Sequence, residues 1–415
     1  VADSAQSGHG SGAVQIVVAT AIGGGCGYVL TILAGKSLGS VDYGTFAVFW
    51  SALYLIISAV SGIQQEVTRA SRPRVEGGAG PSTIRNYAVC VALAIAAATI
   101  ATSPLWVGAV FPAEGEALVW PLAFGLAWYV IVAVIGGILY GLQIWRFIGV
   151  MIAMDGILRL LITGTLLLVS ANLTAIAWGV VAPFALAPII TWFFVRRRIV
   201  GKFSLDVADF RRLTWNISRT VVGAAATGVL VSGFPLLLEA TSRHDSRSAL
   251  AALIFAINLT RAPIVIVVLS LQSFLVVYYR SLGERYRRRL LAIIGAVLAL
   301  TVLVAAAVAV VGPWVLETFF GHAYALGPWV LAALVASGGA VGLLCATGPA
   351  VLARGHHALY TSGWATAAVA TIVILALPIP LTSRTILALW IGPLAGLSIH
   401  LVATLAAPRV PSPAR

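Results

Sequence analysis

Residues 248–279 read SALAALIFAINLTRAPIVIVVLSLQSFLVVYY, an apolar run interrupted by one charge, Arg261. A hydrocarbon core about 30 Å thick is crossed by about 20 apolar helical residues. The run is continuous rather than alternating, so it reads as helix and not as barrel strand, and only those two structures satisfy their backbone groups in lipid. Comparable runs recur at 13–35, 44–66, 86–104, 118–142, 147–170, 174–195, 217–239, 290–316, 325–352, 358–379 and 383–407. The expected fold is an all-α polytopic membrane protein with about twelve transmembrane helices. Composition agrees: of 415 residues, 60% are hydrophobic and 9% charged, where a soluble domain carries about 25% charged residues.

The chain carries a net charge of +13, and placement assigns that charge to a membrane face. With a cytoplasmic N-terminus, twenty basic residues fall on inner loops and helix ends, four on outer loops, and Arg159 and Arg261 inside spans. Cytoplasmic loops of membrane proteins are enriched in Lys and Arg. Both termini are therefore expected in the cytoplasm of a bacterial plasma membrane, with anionic lipid as the partner of the positive charge. Nucleic acid is not needed to explain it. Residues 1–12 are polar and expected to be a disordered tail. They lack a basic n-region, so the first apolar run reads as a retained helix.

The longest inner segment, 196–216, follows the sixth span. Phe203, Val207, Phe210 and Thr214 share a face at helical spacing, which suggests an amphipathic helix in the interface. Its central place divides the chain into an N-lobe at 13–195 and a C-lobe at 217–407, followed by a tail at 408–415. Segments 44–69 and 248–274 form a faint internal repeat, each running from a short polar outer loop to a basic inner loop. Six helices per half would relate such repeats by an axis along the membrane normal.

Charges within spans are costly and usually face a cavity or a partner. Arg261 lies roughly 18 Å from the outer end of its span at 1.5 Å per residue. No acidic residue stands three or four positions away; Asn258 lies one turn before it and Pro263 just after. A guanidinium matches phosphate oxygens in bidentate fashion, so Arg261 and Asn258 are candidate substrate contacts. Asp155 and Arg159 are spaced i,i+4 and can pair on one helix face. That spacing suits a neutralised pair joining helices, a cation or proton site on Asp155, or a second anion contact from Arg159. Gln64, Gln65, Glu66 and Arg69 close the inner end of the second span as a solvated helix end, a gate or a head-group contact. Gly24 and Gly25 belong to the glycine-rich stretch AIGGGCGYVLTILAG of the first span. Such a stretch allows close helix packing or a hinge. Cys26, Cys90 and Cys345 are far apart and have no metal-ligand spacing. No cofactor or metal is expected.

The stretch GYVLTILAGKSLGSVDYGTFAVFWSALYLIISAVSGIQQEVTR (27–69) carries the pattern L-G-x-x-x-Y-G at Leu38, Gly39, Tyr43 and Gly44, then a helix ending Gln-x-x-x-x-Arg. This resembles the N-terminus of bacterial polysaccharide-biosynthesis membrane proteins, the O-antigen-type flippases of the multidrug/oligosaccharidyl-lipid/polysaccharide (MOP) superfamily. NLTRAPIVIVVLSLQSFLVVYYR (258–280) is similar to that family's eighth helix. The resemblance implies two six-helix lobes around a central cavity lined by the first, second, seventh and eighth helices. It also implies a polyprenyl-pyrophosphate-linked sugar as substrate, moved outward by alternating access, with the pyrophosphate held at Arg261. Glycosyltransferases or a polymerase of the same pathway would be partners. The first span lacks the Arg that related lipid II flippases carry, and twelve spans match the polysaccharide branch.

Two other functions are compatible with the residues. A cation-coupled drug antiporter of the same superfamily would use Asp155. A polyprenyl-dependent membrane glycosyltransferase would need outer-loop carboxylates, for which Glu114 and Glu116 are available. The absence of a G-x-x-x-x-G-K-[ST] phosphate loop argues against ATP hydrolysis by that route, and the leading expectation is a transporter rather than an enzyme.

Overall fold

Continuous apolar sequence in this chain folds as helix throughout, because each helix satisfies its own backbone polar groups. The structure is a computed structural model that describes residues 2–73, 81–111, 115–169, 172–199, 203–205, 214, 221, 224–282 and 285–405. Its first six helices are α1 (Ala2–Ser37), α2 (Ser40–Ala70), α3 (Pro81–Val110), α4 (Gly115–Gly141), α5 (Trp145–Val169) and α6 (Leu173–Ile199). A short pair follows, α7 (Ala224–Val231) and α8 (Phe234–Thr241). The last five are α9 (Arg247–Ser281), α10 (Tyr286–Phe320), α11 (Pro328–Ala353), α12 (His357–Leu375) and α13 (Leu381–Leu405).

Among the described residues, ten of these helices are long and apolar enough to cross a membrane, and the α7–α8 pair makes an eleventh if taken as one span. The one remaining expected span, the eighth in chain order, coincides with α9, which continues through Pro263 as one helix. The chain is a multi-pass helical membrane protein.

Three local expectations change. Residues 2–12 are the opening turns of α1 rather than a disordered tail, although the span proper begins at Val14. Residues 203–205 are not amphipathic helix. Strand β2 (Phe203–Leu205) pairs antiparallel with β1 (Ser71–Pro73), in register Ser71 with Leu205 and Pro73 with Phe203. Main-chain pairing with the chain leaving α2 satisfies these three residues instead. Of the rest of the expected amphipathic face, Thr214 is exposed, while Val207 and Phe210 lie outside the described residues, as does the tail at 408–415. The seventh span, read as one run at 217–239, is broken: α7 and α8 meet at 71°.

Contacts divide the chain into two compact units, residues 1–255 and 256–415, with the division inside α9. In the first unit α1 packs on α5, α4 lies against α2, α3 and α6, and α8 lies on α2. A buried cluster that includes Val60, Ile63, Val67, Tyr87, Ile138, Ile148 and Val195 joins helices of this unit. In the second unit α10 packs on α11, and α13 packs on α11 and α12. Helix α10 buries only Tyr286, Leu290, Thr301 and Leu316 of its 35 residues, a thin stripe.

Candidate functional site

Arg159 and Arg261, which the sequence places within spans, are both buried, at 5% and 6% exposure. They belong to different units, so each is described where it stands.

Helix α5 carries Asp155 and Arg159 near its middle, about 15 Å from its first residue. The i,i+4 spacing forms the ion pair: Arg159 Nη2 donates to Asp155 Oδ1 at 2.8 Å. The other two nitrogens are also engaged. Nη1 donates to the Tyr54 hydroxyl of α2 at 2.6 Å, and Nε donates to the Val180 carbonyl of α6 at 3.0 Å. Aromatic rings complete the surroundings. The guanidinium carbon lies 4.5 Å from the Phe184 ring centre, 5.7 Å from Tyr54 and 5.9 Å from Trp50. Trp50 and Tyr54 are stacked, with centroids 5.0 Å apart, and Tyr129 meets Phe184 edge-on at 5.4 Å. A cation over an aromatic face gains about 0.5–2 kcal/mol. Arg159 thus ties α2, α5 and α6 together. This is the helix-joining pair among the sequence alternatives, and it leaves none of the three nitrogens without a partner.

Asp155 is less enclosed, with its side chain 25% exposed. Its second carboxylate oxygen takes no hydrogen bond from the described residues. The arrangement therefore presents a cation fixed in place and one carboxylate oxygen open to a proton or small cation. The sequence did not point to Trp50, Tyr54, Tyr129 or Phe184. The i,i+4 spacing of Trp50 and Tyr54 was the available signal.

Gly156, beside Asp155, sets how near α1 and α5 come. A Cβ there would sit 2.6 Å from the Gly23 Cα, closer than non-bonded atoms approach. A Cβ at Gly23 would meet only the Ile152 carbonyl at 3.6 Å and side chain at 3.9 Å, which is ordinary contact. Gly156→Ala is accordingly expected to lower thermal stability by about 1–3 kcal/mol through overpacking, whereas Gly23→Ala leaves it unchanged. Melting curves of the two purified variants check this asymmetry. Within the glycine-rich stretch, close packing falls on Gly23, beneath Gly156, and on Gly35, where an added Cβ would run into the Phe255 ring. Gly24 is half-buried, and Gly25 has open space around it.

At the C-terminal end of α2, Gln64 is half-buried and its side-chain oxygen lies against Gly136 of α4. Gln65 is exposed. Glu66 is buried at 4% exposure, so it does not belong to a solvated helix end. In the second unit, α9 holds Asn258, half-buried, one turn before buried Arg261. The side chains of Arg69 and Pro263 lie outside the described residues. Among the described residues no group of three or more His, Cys, Asp or Glu is placed to hold a metal.

Solved structures of similar fold give the comparison. The chain superposes on the lipid II flippase MurJ in an inward closed conformation with a TM-score of 0.68, at 12% identity, covering 94% of this chain and 87% of that one. A multidrug resistance MATE family transporter of the MOP superfamily, inward-facing, gives 0.67 at 14% identity, covering 91% and 92%. A MOP superfamily transporter from Pyrococcus furiosus, described by a reversed polarity of its binding pocket, gives 0.57 at 14% identity over 95% and 94%. The protein has the fold of MOP superfamily transporters. No protein-family model matches the chain. It belongs to one family with two uncharacterized proteins of Mycobacterium tuberculosis. Rv3630 is 31% identical over 401 residues, covering 95% of this chain and 92% of the relative, and Rv1510 is 32% identical over 403 residues, covering 94% and 90%.

Proposed function

We propose that the protein moves a polyprenyl-pyrophosphate-linked oligosaccharide or polysaccharide precursor from the cytoplasmic to the outer leaflet of a bacterial plasma membrane. Transport is by alternating access, with both termini in the cytoplasm. The observation that carries the reading is the burial of Arg261 within α9, at 6% exposure. A guanidinium kept inside a membrane protein is costly and marks a pathway for charge. Its fork suits pyrophosphate oxygens. The fold, shared with a flippase named for lipid II, supports a lipid-linked substrate. The proposed substrate contacts are Arg261 and Asn258, with Gln64 and Gln65 toward the cytoplasmic end. Glu66, Arg69, Gly24, Gly25 and Pro263 are the proposed gating positions. Arg159 is a further candidate contact that is proposed instead as a scaffold of the first unit, a reading that its bonds to Asp155, Tyr54 and Val180 support. An ion gradient or the membrane potential would drive the cycle, since one charge moved through 100 mV is worth about 2.3 kcal/mol.

The test is reconstitution. Purified protein in liposomes carrying a fluorescent short-chain polyprenyl-pyrophosphate sugar is expected to bring inner-leaflet label within reach of a membrane-impermeant quencher. Quenching at the rate of protein-free liposomes contradicts the proposal.

One observation favours a second reading, a cation-coupled drug antiporter of the same superfamily: the open oxygen of Asp155. On that reading Asp155→Asn abolishes drug resistance when resistance is normalised to the amount of protein in the membrane. On the flippase reading it leaves drug resistance as it was, because there is none to lose. Resistance assays in a drug-sensitive host separate the two.

A further inference from the structure

Helices α7 and α8 together have the length and apolar character of one span, yet they turn through 71° at Ser232 and Gly233. The local sequence explains why a break forms there. Pro235 has no N–H, so the Val231 carbonyl has no donor four residues on. The amides of Ser232 and Gly233 both donate to the Gly228 carbonyl, each at 2.9 Å. In an unbroken helix the Leu236 amide would donate to the Ser232 carbonyl. Here the Ser51 hydroxyl of α2 stands between them. Its oxygen accepts from the Leu236 amide at 3.1 Å and its hydrogen is donated to the Ser232 carbonyl at 2.6 Å. Ser51 is 2% exposed, so water does not share the task.

The same helix face presses on the break. A Cβ on Gly233 would lie 3.1 Å from Leu55, and one on Gly228 would lie 2.6 Å from the Ser58 Cβ, so the broken span lies hard against α2. Trp50 and Tyr54, which surround Arg159, lie roughly a quarter-turn around α2 from Ser51 and Leu55 at 100° per residue. One rigid helix therefore touches the Asp155–Arg159 pair with one face and the break with the next.

A hydroxyl inserted into a helical hydrogen bond has two satisfied outcomes in a dry, membrane-buried setting. Either it stays and the helix is bent, or it withdraws and the amide and carbonyl close on each other directly. Any intermediate position leaves backbone groups unpaired away from water, which costs several kcal/mol. We propose that Ser51 is a positioning residue that sets the bend of the seventh span. Displacement of α2 inserts or withdraws its hydroxyl between Leu236 and Ser232, and so switches the span between a bent and a straighter form. The part this plays in transport rests on the transporter reading above; the switch itself does not.

The test reads the bend directly. Spin labels at Ala226 and Ala240 flank the break in otherwise intact protein in lipid nanodiscs, with no substrate added. A 71° turn brings these positions about 4 Å closer than a straight helix with a 1.5 Å rise would. Ser51→Ala and Ser51→Cys remove the strong donor with little change in volume. They are expected to lengthen the separation toward the straight value, while Ser51→Thr, which keeps the hydroxyl, retains the short one. A wild-type separation in both Ser51→Ala and Ser51→Cys overturns the proposal. In the liposome assay, Ser51→Ala is expected to slow transport about thirtyfold, as loss of two hydrogen bonds of about 1 kcal/mol each implies, with Ser51→Thr near wild type. A lengthened separation with transport at full rate overturns the positioning role. Should the wild-type protein move no lipid-linked sugar, the flippase reading fails, while the spin-label distances still decide whether Ser51 sets the bend.

Discussion

Arg261→Ala abolishes export of lipid-linked glycan in cells that depend on this protein, while the variant still inserts at wild-type level. The physical ground is the difference between what the guanidinium does for substrate and what it does for folding. A doubly bonded pyrophosphate oxygen pair gains about 1.5–3 kcal/mol from each charged hydrogen bond. Its loss in a site shielded from water leaves the crossing head group without charge compensation, an effect of at least about 100-fold on the rate. Insertion depends on the apolar length of the span, which the substitution does not shorten, so accumulation is not expected to suffer. Arg261→Lys separates charge from shape. Lysine keeps the charge but offers a point donor rather than a planar fork, and partial function is expected. Complementation of a deletion strain, with protein level measured in the same membranes, decides the matter. Full complementation by Arg261→Ala overturns the assigned role.

Arg159→Ala is expected to do the opposite: to damage the protein before it damages transport. The substitution strips Asp155 of its 2.8 Å partner and leaves the Tyr54 hydroxyl and the Val180 carbonyl without their donor. Breaking one side of a buried pair costs about 3–5 kcal/mol, because the surviving charge has no compensation. That is comparable to a large part of a domain's whole stability. The double change Asp155→Leu with Arg159→Met removes both charges at similar volume and should recover most of the loss, as replacement of whole buried pairs often does. Melting temperatures of the detergent-solubilised variants give the order. An Arg159→Ala protein as stable as wild type would mean that the pair does not hold α2, α5 and α6 together.

The contrast between these two arginines bears on how much could be read in the sequence. Spans were legible because lipid demands long apolar helix, and the Asp155–Arg159 pair was legible because one helix carries both partners at a spacing that brings them together. Partners on other helices were not. Trp50, Tyr54 and Phe184 sit in spans that are apolar on all sides, so periodicity gives no contrast between a residue facing Arg159 and one facing lipid. Ser51 left still less trace, since its partners are main-chain groups that every residue possesses. The break was marked locally by Gly233-Phe234-Pro235, yet that marker lay inside an apolar run of span length, and the longer-range pattern prevailed. The strand at 203–205 has no sequence signal of its own, because three residues are too few to tell a period of two from one of 3.6.

Helix α10 carries a consequence of its own. Its 35 residues extend about 52 Å at 1.5 Å per residue, against a hydrocarbon layer of about 30 Å. Arg285, Arg287, Arg288 and Arg289 cluster at its start, all exposed, and fasten that end among head groups. The excess length must then be absorbed by leaning, by protrusion at the far end or by local thickening of the lipid. Only a thin stripe of α10 is held by the rest of its unit, so little opposes the lean. Acyl-chain length is thereby an input to the fold: longer lipids let this helix stand upright, and shorter ones lay it over.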